Sequence, residues 1–368
     1  MMNMEDNKNN AIKWSADLLW SIITKVKKSK LDNADINLLD IEPLIEQLVI
    51  LNFKTKSLVK ELGWSVEKQA QDEVIKISFS PSDIIINVVE NANQLFIARV
   101  ISLLPMIILA YRDCHEMIKE KRLEISISCG DLPIDNNTLC FSGDVPVKNL
   151  LVDPYFILSN GYLEYRKEVD KLKFFEERIK KIYWRGSLTG WFDISEPKKN
   201  QRVLMTNSCC GDKNYFDVGI IMDDNFSDDI KNYLLEKGLI GERGNQTDVL
   251  DYQFNIDVDG WSNSWTGFYI KLLSGSVTLK VASKNNFRQW YYDDLLPWVH
   301  YVPIAADCSD IIPITSYLFK NIDLAKKIAS NSHKISNSMS FDSEIVKSTT
   351  KIISKFHENL SKKEIEKI

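Results

Sequence analysis

The chain opens on polar residues, MMNMEDNKNN, and then places apolar side chains at helical spacing through AIKWSADLLWSIITKVKK and LLDIEPLIEQLVILNF. Residues 11–63 are therefore predicted as helices. Residues 83–120 read as one or two more, and they contain the most apolar long window, LFIARVISLLPMIILAY. Arg99 and Pro105 interrupt that window, and it falls short of the roughly 20 clean apolar residues of a spanning helix. A buried, proline-kinked helix is expected there, with contact at a membrane interface as the alternative. The period changes at LEISISCGDLPID, residues 123–135, where alternating apolar positions run into Cys-Gly-Asp-Leu-Pro. That is the pattern of a strand ending in a turn.

Residues 141–180 hold two loop-like stretches, FSGDVP and LVDPYF, and a charged segment, VDKLKFFEERIKK, predicted as a helix. The domain junction is expected here. From residue 181 onward apolar strand runs alternate with helical ones: KIYWRG, a helix from Arg202, FDVGIIMDD, a helix near 228–237, YQFNIDVDG, a helix after Ser262, SVTLKV, WVHYVPI, and helix again from about 315. Alternation at that pace implies a mainly parallel, doubly wound α/β sheet.

Composition narrows the class. A chain of 368 residues, 44% hydrophobic and 26% charged, is long for one domain. The expected division is an N-terminal domain over 1–165, a C-terminal ligand-binding domain over 166–330, and helices over 331–368 that pack back on the first. A formal net charge of −5 argues against a general nucleic-acid binder. The six cysteines (114, 129, 140, 209, 210, 308) show no CxxC spacing, and the four histidines form no paired motif, so no structural zinc is expected. With a polar start in place of a secretory leader, reduced thiols and a cytoplasmic location are expected.

Four segments put polar groups where strands end, the usual place for ligands in open α/β sheets. In YWRGSLTGW an apolar strand delivers Arg185, Gly186 and Ser187, and Arg202 opens the next helix. Two arginines there suit a diphosphate, although Arg185 fits a surface ion pair and Gly186 a plain turn equally well. In DVDG, Asp257 and Asp259 lie one residue apart on one strand face. They suit either a metal or a lining of loop N–H groups. No metal is expected, because Gly260 to Ser264 reads as a helix entry built for direct ligand contact. Lys280 ends a further strand. His300 sits among apolar neighbours on the next, as a core histidine or a ligand contact, and Ser309-Asp310 can cap the following helix. Aromatics crowd this region, among them Trp261, Trp265, Trp290, Tyr291, Tyr292 and Trp298. They serve as core, or as stacking surfaces for a sugar or base where exposed. Asp131, on the turn after the 123–128 run, is a lone carboxylate placed for a general base.

Taken in this order, GDLP, YWRGS, Arg202, the DVDG to SGSVTLKV block and LLPWVHYVPI resemble the lipopolysaccharide-modifying and capsule-associated glycosyltransferases of family ninety, which include the Rumi-type protein O-glucosyltransferases. The resemblance covers residues 120–330 and is nearest the bacterial LpsA-type members. It implies a GT-B-like fold of two Rossmann-like domains facing a central cleft, with helical N-terminal additions. It also implies inverting transfer from a UDP-sugar without a metal or other cofactor, with Asp131 as the base. Donor binding would fall to Arg185, Gly186, Ser187, Arg202, Asp259, Gly260, Ser264 and Lys280, with Trp261, Trp265 and His300 as candidate contacts to donor or acceptor. Two departures stand out. Gly130 replaces the arginine that precedes the base in animal members, and Trp265-Thr266-Gly267-Phe268 lacks their helix arginine. The leaving-group charge would then rest on Arg202, Arg185, Lys280 or a helix N-terminus. The ending KKEIEKI is not a KDEL-like signal, so a bacterial cytoplasmic enzyme is expected, with peripheral association at the inner membrane face allowed for. Its expected reaction moves a hexose to lipopolysaccharide core or a related surface glycan. The alternatives are a capsule or protein acceptor taking xylose or glucose, and a homologue that binds nucleotide or glycan without catalysis.

Overall fold

The run Asp83-Ile-Ile-Ile-Asn-Val-Val89 is rich in β-branched side chains, which restrict χ1 and favour a pleated strand over a helix. In the computed structural model, which describes residues 63–69, 74–81, 83–89, 94–119 and 121–365, that run is a strand. The helix expected from residue 83 starts only at Gln94. Helices predicted before Gly63 lie outside the described residues.

The chain divides into two units, one of residues up to Phe141 with Val145–Gly161 and the segment from Ser340, the other of Ser142–Asp144 and Tyr162–Met339. In the first, strands β1 (Gly63–Gln69), β2 (Val74–Phe79), β3 (Asp83–Val89) and β4 (Leu123–Ser128) form a sheet of order β1-β3-β2-β4. Its β1 and β3 run parallel and its other pairs antiparallel. Helix α1 (Gln94–Asp113) continues through Pro105 and buries Leu103, Leu104, Met106 and Ile107. It is followed by the short α2 (His115–Ile118) and, after a loop, by α3 (Pro154–Leu158), which Asp153 caps by accepting from the N–H groups of Tyr155 and Phe156. No helix among the described residues is long and apolar enough to cross a membrane.

The second unit begins with α4 (Leu163–Val169). The charged helix expected over 169–181 is absent, and β5 (Ile179–Ser187) starts where it would have continued. Tertiary contacts override the local helical preference. Phe175 packs edge-on against Phe254, and the Arg178 guanidinium donates to the carbonyls of Ser274 and Gly275. Then follow α5 (Gln201–Cys209), β6 (Phe216–Ile221), α6 (Asp228–Glu236), β7 (Ile240–Gly241), β8 (Tyr252–Asp257), α7 (Thr266–Leu273), β9 (Val277–Val281), β10 (Val302–Ile304), α8 (Ile311–Lys320) and α9 (Ile322–Ser338). The last helix, α10 (Phe341–Ile365), belongs to the first unit and packs on α1 and β4.

All six strands of the second unit are parallel, in the order β10-β9-β8-β5-β6-β7. Numbered from β5, that is 3-2-1-4-5-6 read from the β7 edge, the order of a Rossmann sheet, and the winding reverses between β5 and β8. Ile182, Phe254, Ile256, Val277 and Leu279 are fully buried, as expected for strands covered on both faces. This unit is the doubly wound sheet predicted from residue 181 onward. The first unit's described strands form a mixed sheet. Ser309-Asp310 does not cap α8 through a side chain. Asp310 instead accepts from the Ala305 N–H, and Ser309 bonds Asp307.

Candidate functional site

Side chains on a strand alternate between faces. Along β5, Trp184 and Gly186 therefore share one face, and Tyr183 and Arg185 the other. A Cβ at Gly186 would stand 2.6 Å from the Trp184 ring, so glycine is required for that indole to fold along its own strand. Helix α5 packs on the Trp184 side, and the Arg202 guanidinium lies 6.0 Å from that ring. Arg185 is turned the other way. It stacks over Tyr183 and donates to the Asp217 carboxylate and to the carbonyls of Trp184, Asp217 and Glu242. Of the two readings left open for Arg185, the structure fits the ion pair, and the sheet separates it from Arg202.

Arg202 stands at the switch point. Asn200 caps α5, accepting from the N–H groups of Arg202 and Val203, and its amide donates to the Thr189 and Trp191 carbonyls. The cap fixes where the first side chains of the helix emerge. Arg202 Nη1 donates to the Ser187 carbonyl at 2.8 Å and Nε to the Asp259 carbonyl at 3.1 Å, clamping the ends of β5 and β8 together. Among the described residues Nη2 has no hydrogen-bond partner. Beside it stands Gly260, where a Cβ would lie 2.9 Å from Nη2 and press on Thr189 Oγ1, so any side chain there displaces the guanidinium.

Below this clamp lies a buried charge cluster. Asp257 and Lys280 are register partners on β8 and β9, and Lys280 Nζ bridges the Asp257 and Asp259 carboxylates at 2.7 Å each. Lys271, from α7, donates to the other Asp257 oxygen at 2.9 Å, and Ser264 Oγ donates to it at 2.6 Å. Burial alone would raise the Asp257 pKa, but Lys271 and Lys280 outweigh it and hold the carboxyl well below the usual range. Burial opposes the charge on Lys280 as well, yet the two carboxylates raise its pKa well above a free lysine's. Counting Arg202, three cations face two carboxylates, so the cluster keeps a positive charge for an anion arriving at the strand ends. The two DVDG carboxylates hold lysines, and the donor set for a metal at this point is already neutralised.

Asp131 lies in the first unit, on the turn after β4, with its side chain 43% exposed. Arg99, buried in the middle of α1, donates from Nη2 to the Asp131 carboxylate and from Nη1 to the Cys129 carbonyl, both at 2.7 Å. Ser128 Oγ closes the turn on the Leu132 carbonyl. The carboxylate is thus held in place on one side and open on the other.

The sequence model of glycosyl transferase family 90 matches residues 162–365, more than half of the chain. The chain belongs to glycosyl transferase family 90. Asp131 precedes the matched segment, whereas Arg202 and the lysine–aspartate cluster lie inside it. Protein O-glucosyltransferase 2 of Danio rerio is 24% identical, over 58% of this chain and 42% of its own length. Human protein O-glucosyltransferase 3 is 34% identical over 22% of this chain and 16% of its own. The chain thus spans less than half the length of these relatives. A solved structure, HepE of Anabaena with UDP-glucose, aligns at 13% identity and a TM-score of 0.30, covering 61% of this chain and 57% of that one, too distant a likeness to bear on fold or ligand.

The strand-end cluster gathers Ser187, Arg202, Asp259, Gly260, Ser264 and Lys280 from the sequence-derived set, but not all in the expected role. Ser264 and Lys280 hold Asp257, and Ser187 and Asp259 offer their carbonyls to Arg202. Trp265 enters α7 at φ 44° and ties its indole N–H to Ser262 Oγ, and Trp261 is 57% exposed on the loop before it. Trp290 and Tyr291 are core. His300 is not on a strand. It sits in the turn before β10, where Trp298 and Tyr301 close a tight loop, and its Nδ1 accepts from the Leu296 N–H. No contact joins it to the cluster among the described residues. The sequence reading missed Arg99, Asn200 and Lys271. Arg99 alone carried a signal, as a charge inside an apolar helix.

Proposed function

We propose that this family 90 chain transfers a hexose from a UDP-sugar to a glycan hydroxyl, with inversion and without a metal. Arg202 carries the reading. Its clamp on the ends of β5 and β8 leaves Nη2 free at the switch point of a doubly wound sheet, over a cluster with a surplus positive charge. A diphosphate is the anion that suits such a point, and the guanidinium would take up the charge that grows on it as the sugar leaves. Lys280 and Lys271 act through Asp257 and Asp259, fixing the loop that carries Gly260. Asp131 takes the proton from the attacking hydroxyl. Glucose is the first donor sugar to try, since the curated relatives are named O-glucosyltransferases. The acceptor we favour is lipopolysaccharide core or a related surface glycan in a bacterial cytoplasm. A protein hydroxyl is the second reading, favoured by the same names.

Release of UDP from a panel of UDP-sugars tests the reaction, together with UDP-dependent stabilisation of the fold and its insensitivity to EDTA. Arg202→Ala is expected to weaken UDP binding roughly 10- to 100-fold, the worth of a lost hydrogen bond to a charged group. Equal affinity in wild type and variant would place the diphosphate elsewhere. Gly260→Ala should reach the same end by another route. Its methyl meets only the tips of Arg202 and Thr189, so the guanidinium yields rather than the fold. Calorimetry should show UDP affinity down about tenfold with the unliganded melting temperature nearly unchanged. A large loss of stability would instead make Gly260 a folding requirement.

A further inference from the structure

A cavity opens at the opposite end of the parallel sheet, where β5 and β9 begin. It measures about 320 Å³, and Lys173, Arg178, Lys326, His333, Phe174 and Phe175 form most of its wall. No acidic side chain lines it, in a chain whose net charge is −5. Carboxylates approach only from outside: Asp251 lies 3.6 Å from Lys173, and Glu176 pairs with Lys326.

The buried group is Arg178. Its Nε donates to the Lys173 carbonyl, and its Nη1 to the Ser274 and Gly275 carbonyls and to Ser276 Oγ. Its Nη2 has no hydrogen-bond partner among the described residues. His333 Nδ1 faces the Leu273 carbonyl at 2.8 Å, and a carbonyl only accepts, so the proton sits on Nδ1 and Nε2 is left over. Ser332 takes the Leu272 carbonyl. The carbonyls that close α7, which would otherwise repel an anion, are thus occupied, and what remains unspent is a guanidinium edge and an imidazole, beside two lysines whose carboxylate partners, Asp251 and Glu176, stand outside the cavity. Apart from Ser330 the rest of the wall is apolar, and Phe174 at its rim is 78% exposed, an unusual place for a phenylalanine.

We infer that this cavity binds a phosphate carried on an apolar body, either a lipid headgroup in a membrane or a free phosphate ester. Guanidinium and lysines would hold the phosphate, and Phe174 and Phe175 the carbon next to it. The site lies a strand's length from Arg202, at the opposite ends of the strands, and does not depend on the donor reading.

The test uses the full chain, titrated with inorganic phosphate and with dihexanoyl phosphatidate below its micellar concentration. Dihexanoyl phosphatidate is expected to bind at least ten times more tightly than phosphate. Lys173→Glu with Lys326→Glu should abolish the binding, and Phe174→Ser should erase the preference for the acylated ligand. All three side chains are solvent-facing, so the fold should survive these changes, and an unchanged melting temperature and circular-dichroism spectrum would show that it has. Absence of binding to both ligands at millimolar concentration overturns the proposal, as does binding that the lysine variants leave unaltered. Equal affinity for the two ligands overturns its apolar half. Sedimentation with phosphatidylcholine vesicles, with and without phosphatidate, separates the sources. Capture by the phosphatidate vesicles alone points to a membrane headgroup, and binding of the short-chain ligand without capture points to a free ester.

Discussion

Asp131→Asn is expected to stop sugar transfer while leaving UDP binding intact. Asparagine has the shape of aspartate and keeps an oxygen for Arg99 Nη2, and Nη1 stays on the Cys129 carbonyl, so the turn after β4 keeps its geometry. Asp131 is partly exposed but Arg99 is buried, and with the hydrogen bond retained the lost charge should cost the fold about 1–3 kcal/mol. What disappears is the group that accepts a proton. Loss of a positioned general base lowers turnover about 10²- to 10⁴-fold. UDP should still raise the melting temperature as it does in wild type. A variant that turns over at the wild-type rate would remove Asp131 from the reaction, and one that no longer binds UDP would give it a different role.

Lys280→Met should have the largest effect on the fold itself. The lysine is buried and is shared by two carboxylates, and one oxygen of Asp259 is already buried without a partner. Methionine fills the same space and leaves Asp259 without its hydrogen-bonded cation and Asp257 with Lys271 as its one remaining lysine. Breaking a buried pair by deleting one member typically costs 3–5 kcal/mol, here roughly 10 °C in melting temperature.

The pH dependence should weaken as well. In wild type the Asp257 carboxyl is held below its unfolded value of about 4, so its contribution is complete above that pH and fades as pH falls toward the folded value. Wild-type stability should therefore decline on acidification below about pH 4. Without Lys280 the Asp257 carboxyl loses one of the two lysines that hold it down, so it is held below its unfolded value less strongly. The variant should then lose less stability than wild type on acidification below about pH 4, and denaturant melts across that range read the slope directly. Parallel curves for the two proteins would show that Lys280 does not hold these carboxylates.

Much of the second unit could be read from the chain. Buried parallel strands are covered on both faces, so KIYWRG, FDVGII, YQFNID and VTLKV stand out as short apolar runs that stop at polar turns. The first unit's strands were harder. DIIINVV has no alternation to set it apart from a buried helix, and only β-branching argued for the strand. VDKLKFFEERIKK failed for the opposite reason: its local preference is helical, and contacts to Phe254 and to the end of α7 overrule it.

The sequence by itself determined that polar groups gather at the ends of β5, β8 and β9, because an apolar strand must end where its buried stretch ends. It did not determine which arginine faces a ligand. Arg185 and Arg202 look equivalent in one dimension, and they part because alternate residues of β5 point to opposite faces and α5 covers only one of them. Nor could it pair the charges. Asp257 meets lysines 14 and 23 residues away, and Asp131 meets an arginine 32 residues away. Those distances along the chain vanish only when β8 lies beside β9 and Arg99 of α1 reaches the turn after β4. Tertiary structure decides them because a buried charge must find its opposite wherever the fold brings one within reach.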